Sequence, residues 1–389
     1  MLIGYIFYCY NFVVIDYVRP YLVSELHFSV SQTAIISSAG TVGITVGALC
    51  WAEIIARLGR RRAAGAIAAA IGATAAIQAA SGVFVTWAGA RMLLAAALGG
   101  YYVVATGLVV ALFPAGARGK LIAVNSAMYP TSNILVAAVG AAVGDAHWHI
   151  LLWLGALPLP LSLILLLAIP RDDRYRAFDD TGPTQSAGSW REMLGPRWRW
   201  LTLGCVLLSG IDFNAYQLFF SFVTLYLKQV REASAGTMGL VIAVISAGSL
   251  IGTFAWAVIA DRFGRRLPAT GYLLSGAAIL VFLYGGLGSQ ALVVPGFVFG
   301  FGLSCTTAWG VWFAEMFPLN LRPYGVALFQ AGHILSIGAP LFAAFASERV
   351  GLIGAMSLAP LVYVAGAALW ARLPETLGRP APTEALSPL

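Results

Sequence analysis

Residues 248–266 read GSLIGTFAWAVIADRFGRR, and residues 43–61 read GITVGALCWAEIIARLGRR. Laid over one another at an offset of 205 residues, Gly43, Gly47, Trp51, Ala52, Ile54, Arg57, Gly59, Arg60 and Arg61 each meet an identical residue. At an offset of 204, LFPAGARG (Leu112 to Gly119) falls on MFPLNLRP (Met316 to Pro323), so that Phe113, Pro114 and Arg118 match Phe317, Pro318 and Arg322. Chance similarity between glycine-rich apolar stretches would not return loop arginines at corresponding positions. Duplication of a half-length unit explains it.

The chain around these repeats has 389 residues, 60% hydrophobic and 10% charged, with a mean hydropathy of +0.84. Soluble domains carry about 25% charged residues. The composition therefore describes an integral membrane protein built of helices. At about 20 apolar residues per crossing, the length allows roughly 12 spans, six per repeat, and leaves no room for a soluble catalytic domain. Apolar runs fall at 3–24, 33–56, 63–82, 84–112, 121–144, 150–169, 200–227, 238–260, 268–287, 291–317, 324–347 and 352–371. The polar segment 170–199 separates a bundle at 1–169 from a second at 200–389, and is expected to lie as a linker on the membrane surface through Trp190, Trp198 and Trp200. Cys9, Cys50, Cys205 and Cys305 sit apart in apolar runs, without a disulfide framework or a metal-ligand spacing.

The net charge of +7 is a topology signal rather than a nucleic-acid surface. If the N-terminus is cytoplasmic, 18 of the 23 Lys and Arg residues fall in cytoplasmic segments. The opposite side receives Lys228, Arg231 and Arg349. The positive-inside rule then puts both termini in the cytoplasm. No cleavable leader is read at the start, because the first run has spanning length and contains Asp16 and Arg19.

In DRFGRR (261–266), Gly264 supplies the backbone freedom for a tight turn between two helices. Asp261 and Glu315 can pair with Arg262, Arg265 or Arg322. Such a cluster can lock one conformation of a moving bundle, or it can serve topology and assembly alone.

These motifs resemble those of the major facilitator superfamily, especially its sugar-porter and organic-acid/proton symporter branches. ADRFGRR (260–266), the degenerate ARLGRR (56–61), EMFPLNLRPYG (315–325) with ALFPAGARG (111–119), and LPETLG (373–378) carry the resemblance, which covers essentially the whole chain. It implies a major facilitator fold of two pseudo-symmetric six-helix bundles, a cavity between them and alternating access, with no cofactor. Gating would rest on Arg57, Arg60, Arg118, Asp261, Arg262, Arg265, Glu315 and Arg322. The chain departs from the pattern at Ala56 and Ala111, where the first half lacks the acids that the second half keeps. Glu53, one turn before Arg57, is available as a substitute partner.

Asp16, Arg19, Arg91 and Asp212 lie within apolar runs, where a charge costs about 2.5–3.5 kcal/mol on insertion scales. They should face a water-filled cavity and pair. Asp16 and Arg91 occur at similar depth, so an ion pair between them is expected, either as a proton-coupling device or as a structural tie. Arg91 stands in a weakened form of the family's R-x-x-x-G-x-x-x-G pattern, with Ala95 and Gly99. Arg19, one turn from Asp16, is a second partner or a donor to a substrate carboxylate. Asp212 is a second candidate for proton handling. Substrate contacts are expected from Arg19, Tyr17, Tyr101, Tyr102, Asn125, Tyr129, Asn133, Asn214, Tyr216, Gln217, Trp309, Gln330 and His333, although aromatics in such spans also serve packing. Tyr129-Pro130 stands where the antiporter branches have G-P-x-x-G-G.

The sum is a proton-coupled symporter of a small organic anion in a bacterial inner membrane, working as a monomer with the lipid bilayer, a small-molecule substrate and protons as its only partners. A proton-driven multidrug efflux antiporter and a sugar:proton symporter are the alternatives, and a ligand sensor derived from a transporter is a third class. An enzyme would need a convergent catalytic or metal set, which four histidines, three of them near loops, do not form.

Overall fold

The computed structural model describes residues 2–112, 115–168, 189–318 and 320–378, and all regular structure among them is helical. Spans 1 to 5 are Leu2–Ser24, Val30–Leu58, Arg60–Ala80, Phe84–Leu112 and Ala115–Val143. Span 6 is broken into His149–Gly155 and Pro158–Ala168. Spans 7, 8 and 9 are Arg199–Gln229, Ala235–Phe263 and Thr270–Tyr284. Span 10 runs through Val293–Leu303, a 3-10 stretch at Ser304–Ala308 and Trp309–Glu315. Span 11 begins at Arg322–Ala331, passes a 3-10 stretch at Gly332–Ser336 and resumes in Ala339–Met356, where Gly351 at φ 75° turns the chain towards span 12, Leu358–Arg372.

Among the described residues, seven helical stretches are apolar and long enough to cross a membrane. Val85, Leu163, Leu167, Phe254, Val294 and Leu361 are exposed. So much exposed aliphatic surface suits lipid and not water.

The duplication reappears as a repeated helix joint. In the first half, a Cβ on Gly43 or Gly47 would strike the backbone at Met92 or Ala96, and one on Gly99 the backbone at Ile44. In the second half, Gly248 and Gly252, their sequence counterparts, meet Phe297 and Phe301, and Gly300 meets Ile245. Spans 2 and 4, and spans 8 and 10, are thus drawn to backbone contact by small residues, the packing that membrane helices use where no hydrophobic drive exists. The turn after each motif is also shared, Gly59 at φ 80° and Gly264 at φ 109°.

By packing, the chain forms two units, Met1–Thr181 with Phe222–Ala243 and Pro340–Glu348, and Gly182–Ser221 with Val244–Ala339 and Arg349–Leu389. The boundary does not coincide with the linker alone, because the loop-230 ends of spans 7 and 8 and part of span 11 pack with the first six spans.

Residues 170–188 of the linker lie outside the described residues. Its end, from residue 189, is described. Trp190 packs edge-on to Tyr324 at 5.0 Å and Trp198 lies 5.7 Å from Phe317, while Met193 is buried and its carbonyl accepts the Thr202 hydroxyl at 2.8 Å. Both tryptophans touch protein, Trp198 half-buried and Trp190 still exposed. Trp200 stays exposed.

Candidate functional site

The first unit carries a buried charge cluster whose layout starts from one proline. Pro20 has no N–H, so it leaves the carbonyl of Asp16 without its helical donor. The hydroxyl of Thr224, from the end of span 7, donates to that carbonyl. The Asp16 side chain accepts from Arg19 at 3.0 Å. Arg19 is fully buried. Its terminal nitrogens also donate to Thr33 at 3.3 Å and Ser37 at 2.9 Å on span 2, and its guanidinium lies 4.8 Å from the Phe222 ring centre.

Arg91 does something else. Its two terminal nitrogens donate to the carbonyls of Asn11 at 2.8 Å and Phe12 at 2.9 Å. The expected Asp16–Arg91 ion pair is therefore absent from this structure. Arg19 holds the Asp16 carboxylate from one turn away on the same helix, and Arg91 reaches the backbone of span 1 instead. Gly40 of span 2 makes the room, since a Cβ there would come within 3.2 Å of Arg91 Nε.

Of the two buried guanidiniums, only Arg19 thus pairs with the buried Asp16 carboxylate. Arg19 Nε, Arg91 Nε, Ser38 Oγ and Tyr17 Oη are all buried without a hydrogen-bond partner. Each orphaned donor costs about 1–3 kcal/mol, and groups in this condition call for an explanation.

At the loop end of the same unit, Asp145 accepts from Lys228 at 2.7 Å and from Tyr21 at 2.9 Å. Tyr21 stacks on Trp148 at 5.6 Å, and the Trp148 indole donates to Glu25 at 2.7 Å. Ser31 donates to Glu348 at 2.5 Å. These contacts fasten the loop ends of spans 7 and 11 to spans 1, 2 and 5.

The remaining predicted substrate residues scatter. The Tyr17 ring packs on Gly140 of span 5 and approaches Gly239 of span 8. Tyr101 is buried beside Gly4 and lies 6.1 Å from Tyr8. Tyr129 meets Phe12 edge-on at 6.0 Å, and Asn133 donates to the Tyr129 carbonyl at 3.4 Å. In the second unit, Asn214 ties to the carbonyls of Gly210 at 2.7 Å and Leu335 at 3.2 Å. Gln217 accepts from Ser221 at 2.5 Å, Tyr216 lies 5.0 Å from Phe220, and His333 stacks on Phe213 at 3.6 Å. Gln330 is exposed and Trp309 is buried among rings. The side chains of Tyr102 and Asn125 lie outside the described residues.

Asp212 accepts from Tyr272 of span 9 at 2.9 Å. It is buried in the second unit without an ion pair among the described residues.

The motif cluster is well formed in the second unit. Arg265 grips Glu315 with two bonds, at 3.0 Å and 2.8 Å, and reaches Asp261 at 2.5 Å. Thr376 donates to Glu315 at 2.6 Å. Glu375 accepts the backbone N–H groups of Arg265, Arg266, Thr376 and Leu377 at 2.9–3.0 Å, closing over Gly264, where a Cβ would come within 2.8 Å of the carboxylate. Arg262 is exposed, and Arg322 is half-buried with its Nε unpartnered. In the first unit Arg57 pairs with Glu53 at 2.8 Å on an exposed face, the substitute partner expected from spacing. The side chains of Arg60 and Arg118 lie outside the described residues.

Burial alone would raise the Glu375 carboxyl, but its four backbone donors hold it below the ordinary range. Burial likewise acts upward on Asp145, and the Lys228 and Tyr21 hydrogen bonds with the Lys228 charge more than offset it. A carboxylate depressed in the folded state contributes stability above its unfolded-state value and loses it as pH falls through the folded one. The thermal midpoint in detergent is therefore expected to drop as pH falls below about 4–5, with a smaller drop in Glu375→Gln. An equal drop in that variant would remove Glu375 from the account.

Several contributors escaped the sequence reading. Thr33 and Ser37 had a signal, polar residues four apart in an apolar run. Thr224, Phe222 and Tyr272 had none, and LPETLG named Glu375 and Thr376 without revealing their partners.

The Major Facilitator Superfamily profile matches residues 1–306 and again 207–388. A "Probable 4-methylmuconolactone transporter" of Cupriavidus pinatubonensis is 26% identical over 302 residues, 74% of this chain and 69% of that protein. A "Chloramphenicol resistance protein" of Streptomyces lividans is 27% identical over 264 residues, 67% of this chain and 65% of that protein. A crystal structure of a D-xylose–proton symporter superposes with a TM-score of 0.74 at 19% identity, covering 97% of both chains. That likeness concerns the fold. The two matches of the profile span both halves, and the chain belongs to the Major Facilitator Superfamily of membrane transporters and is not an enzyme.

Proposed function

We propose that the protein is a proton-coupled symporter that imports a small organic anion, with Asp16 as proton carrier, Arg19 as its counterion and Arg91 as the anion-binding group. One observation carries this reading: among the described residues of the first unit there are two buried guanidiniums and a single buried carboxylate, and Arg91 has only neutral carbonyls for partners. A guest carboxylate neutralises that surplus charge and can be gripped by two parallel N–H donors. Protonation of Asp16 releases Arg19, so that proton and anion binding favour the same rearrangement. Thr224 and Phe222 at the end of span 7 close on the cluster, and the Arg265–Glu315–Asp261 set acts as the latch on the motif side. The protein sits in the bacterial inner membrane with cytoplasmic termini and works as a monomer.

The likeness to a protein named for 4-methylmuconolactone supports an organic-acid substrate, and the chloramphenicol relative supports export as the competing reading. The deciding test is proton entry into liposomes, followed by an internal pH dye, with benzoate, 4-hydroxybenzoate, lactate and 4-methylmuconolactone offered to wild type and Asp16→Asn. One acid is expected to drive proton entry in wild type and not in the variant. Silence across the panel in a folded preparation rejects anion import and turns attention to cationic drugs. Uptake of a neutral sugar that is indifferent to loss of Arg19 would establish the sugar:proton alternative.

A further inference from the structure

The carboxylate in the second unit has no part in the centre described above. Asp212 lies midway along span 7, 6% exposed. Its one hydrogen-bond donor among the described residues is the phenol of Tyr272, itself fully buried. Span 12 brings Tyr363 to 5.1 Å from the Tyr272 ring, with its hydroxyl buried and unpartnered. Span 10 contributes the Cys305 thiol and the Trp309 ring, 6.2 Å from Tyr272, whose indole N–H is also buried and unpartnered. Gly366 lets the three helices meet, since a Cβ there would come within 2.9 Å of both Ile211 and Tyr272. His333 of span 11 stacks on Phe213, next to Asp212 in the chain, with no hydrogen bond to the carboxylate among the described residues. Among the described residues, no lysine or arginine faces Asp212 from any of these elements.

An ionised carboxylate in such a place has one neutral donor and no counter-charge among the described residues, and a buried unpaired charge is costly. The same acid carrying a proton is neutral and keeps its bond to Tyr272. Two unsatisfied donors, Tyr363 and Trp309, stand in the surrounding shell and can steady the carboxylate when the proton leaves. The site is thus built to take up and give back a proton, in a different unit from Asp16 and with no arginine to displace.

Resting on the symport reading, we infer that Asp212, positioned by Tyr272, is a second proton-carrying site, so that two protons accompany each singly charged anion. An O–H bond forms on Asp212 with a proton from water on one side of the membrane and breaks to water on the other. No electron transfer is involved. Each cycle moves an anion and two protons, a net charge of one inward.

The test is the proton-to-substrate ratio from reversal potentials in proteoliposomes, using whichever acid of the four-member panel drives proton entry. Wild type is expected to give a ratio of two, and Asp212→Asn a ratio of one with no net charge moved per substrate. A wild-type ratio of one, or a ratio of two retained in Asp212→Asn, overturns the second site while leaving symport intact. Substrate exchange with no proton movement in wild type overturns symport itself. If Asp212→Asn fails to fold, Tyr272→Phe decides: it keeps the acid and removes its donor, so the pH profile of transport should shift, and an unmoved profile refutes the assignment.

Discussion

Replacing Arg19 with glutamine is expected to silence transport and to cost about 3–5 kcal/mol of stability, the usual penalty for leaving a buried charge without its partner. Arg19 is fully buried and gives Asp16 its only ion pair among the described residues. It also joins span 1 to Thr33 and Ser37 on span 2 and to the Phe222 face. Removing it strands the Asp16 carboxylate and cuts all of these ties at once. Adding Asp16→Asn to Arg19→Gln removes the stranded charge, so the double variant should recover much of the thermal midpoint, measured by tryptophan fluorescence in detergent. It should not recover proton entry. A single variant as stable as wild type would show that the pair is not the tie described here.

The second large effect separates two copies of one motif. Arg265→Gln is expected to slow uptake about tenfold, equivalent to about 1.4 kcal/mol, and to lower the thermal midpoint, because it removes two bonds to Glu315 from a guanidinium that is itself buried. Glu315 then keeps only Thr376 among its described partners. Arg57→Gln, in the corresponding loop, should stay near wild type. Its pair with Glu53 is exposed on both sides, 77% and 66%, and an i,i+4 pair of this kind contributes about 0.3–0.5 kcal/mol. Equal losses from the two variants would mean that the first-half motif carries a comparable latch despite Ala56 and Ala111.

Why the two copies differ could be read without coordinates. Ala56 and Ala111 replace the acids that in the second half appear as Asp261 and Glu315, so the lopsided cluster follows from four letters of sequence. What surrounds Arg265 could not be read. Glu375 reaches back from beyond span 12 to the turn at Gly264, 110 residues earlier in the chain, and no local pattern encodes a contact over that separation.

The charge centre in the first half shows the same division. Sequence placed Asp16, Arg19 and Arg91 at bilayer depth, because insertion cost depends on hydropathy along one helix. It put Asp16–Arg91 first, whereas the pair formed is Asp16–Arg19, which it held as the second partner. Matching depth makes a contact possible, but the outcome turns on which way each side chain leaves its helix, on the room Gly40 provides, and on a carbonyl freed by Pro20 that Thr224 takes.

By itself, then, the sequence determined the membrane class, the spans, the duplication and the candidate charges, all properties of composition or of periodicity along the chain. The tertiary structure decided which of those charges are partners, that Asp212 faces Tyr272, and that the ends of spans 7, 8 and 11 pack with the first half. Those outcomes depend on helix rotation and on approaches of a few ångströms between residues far apart in the chain, for which hydropathy and spacing carry no signal.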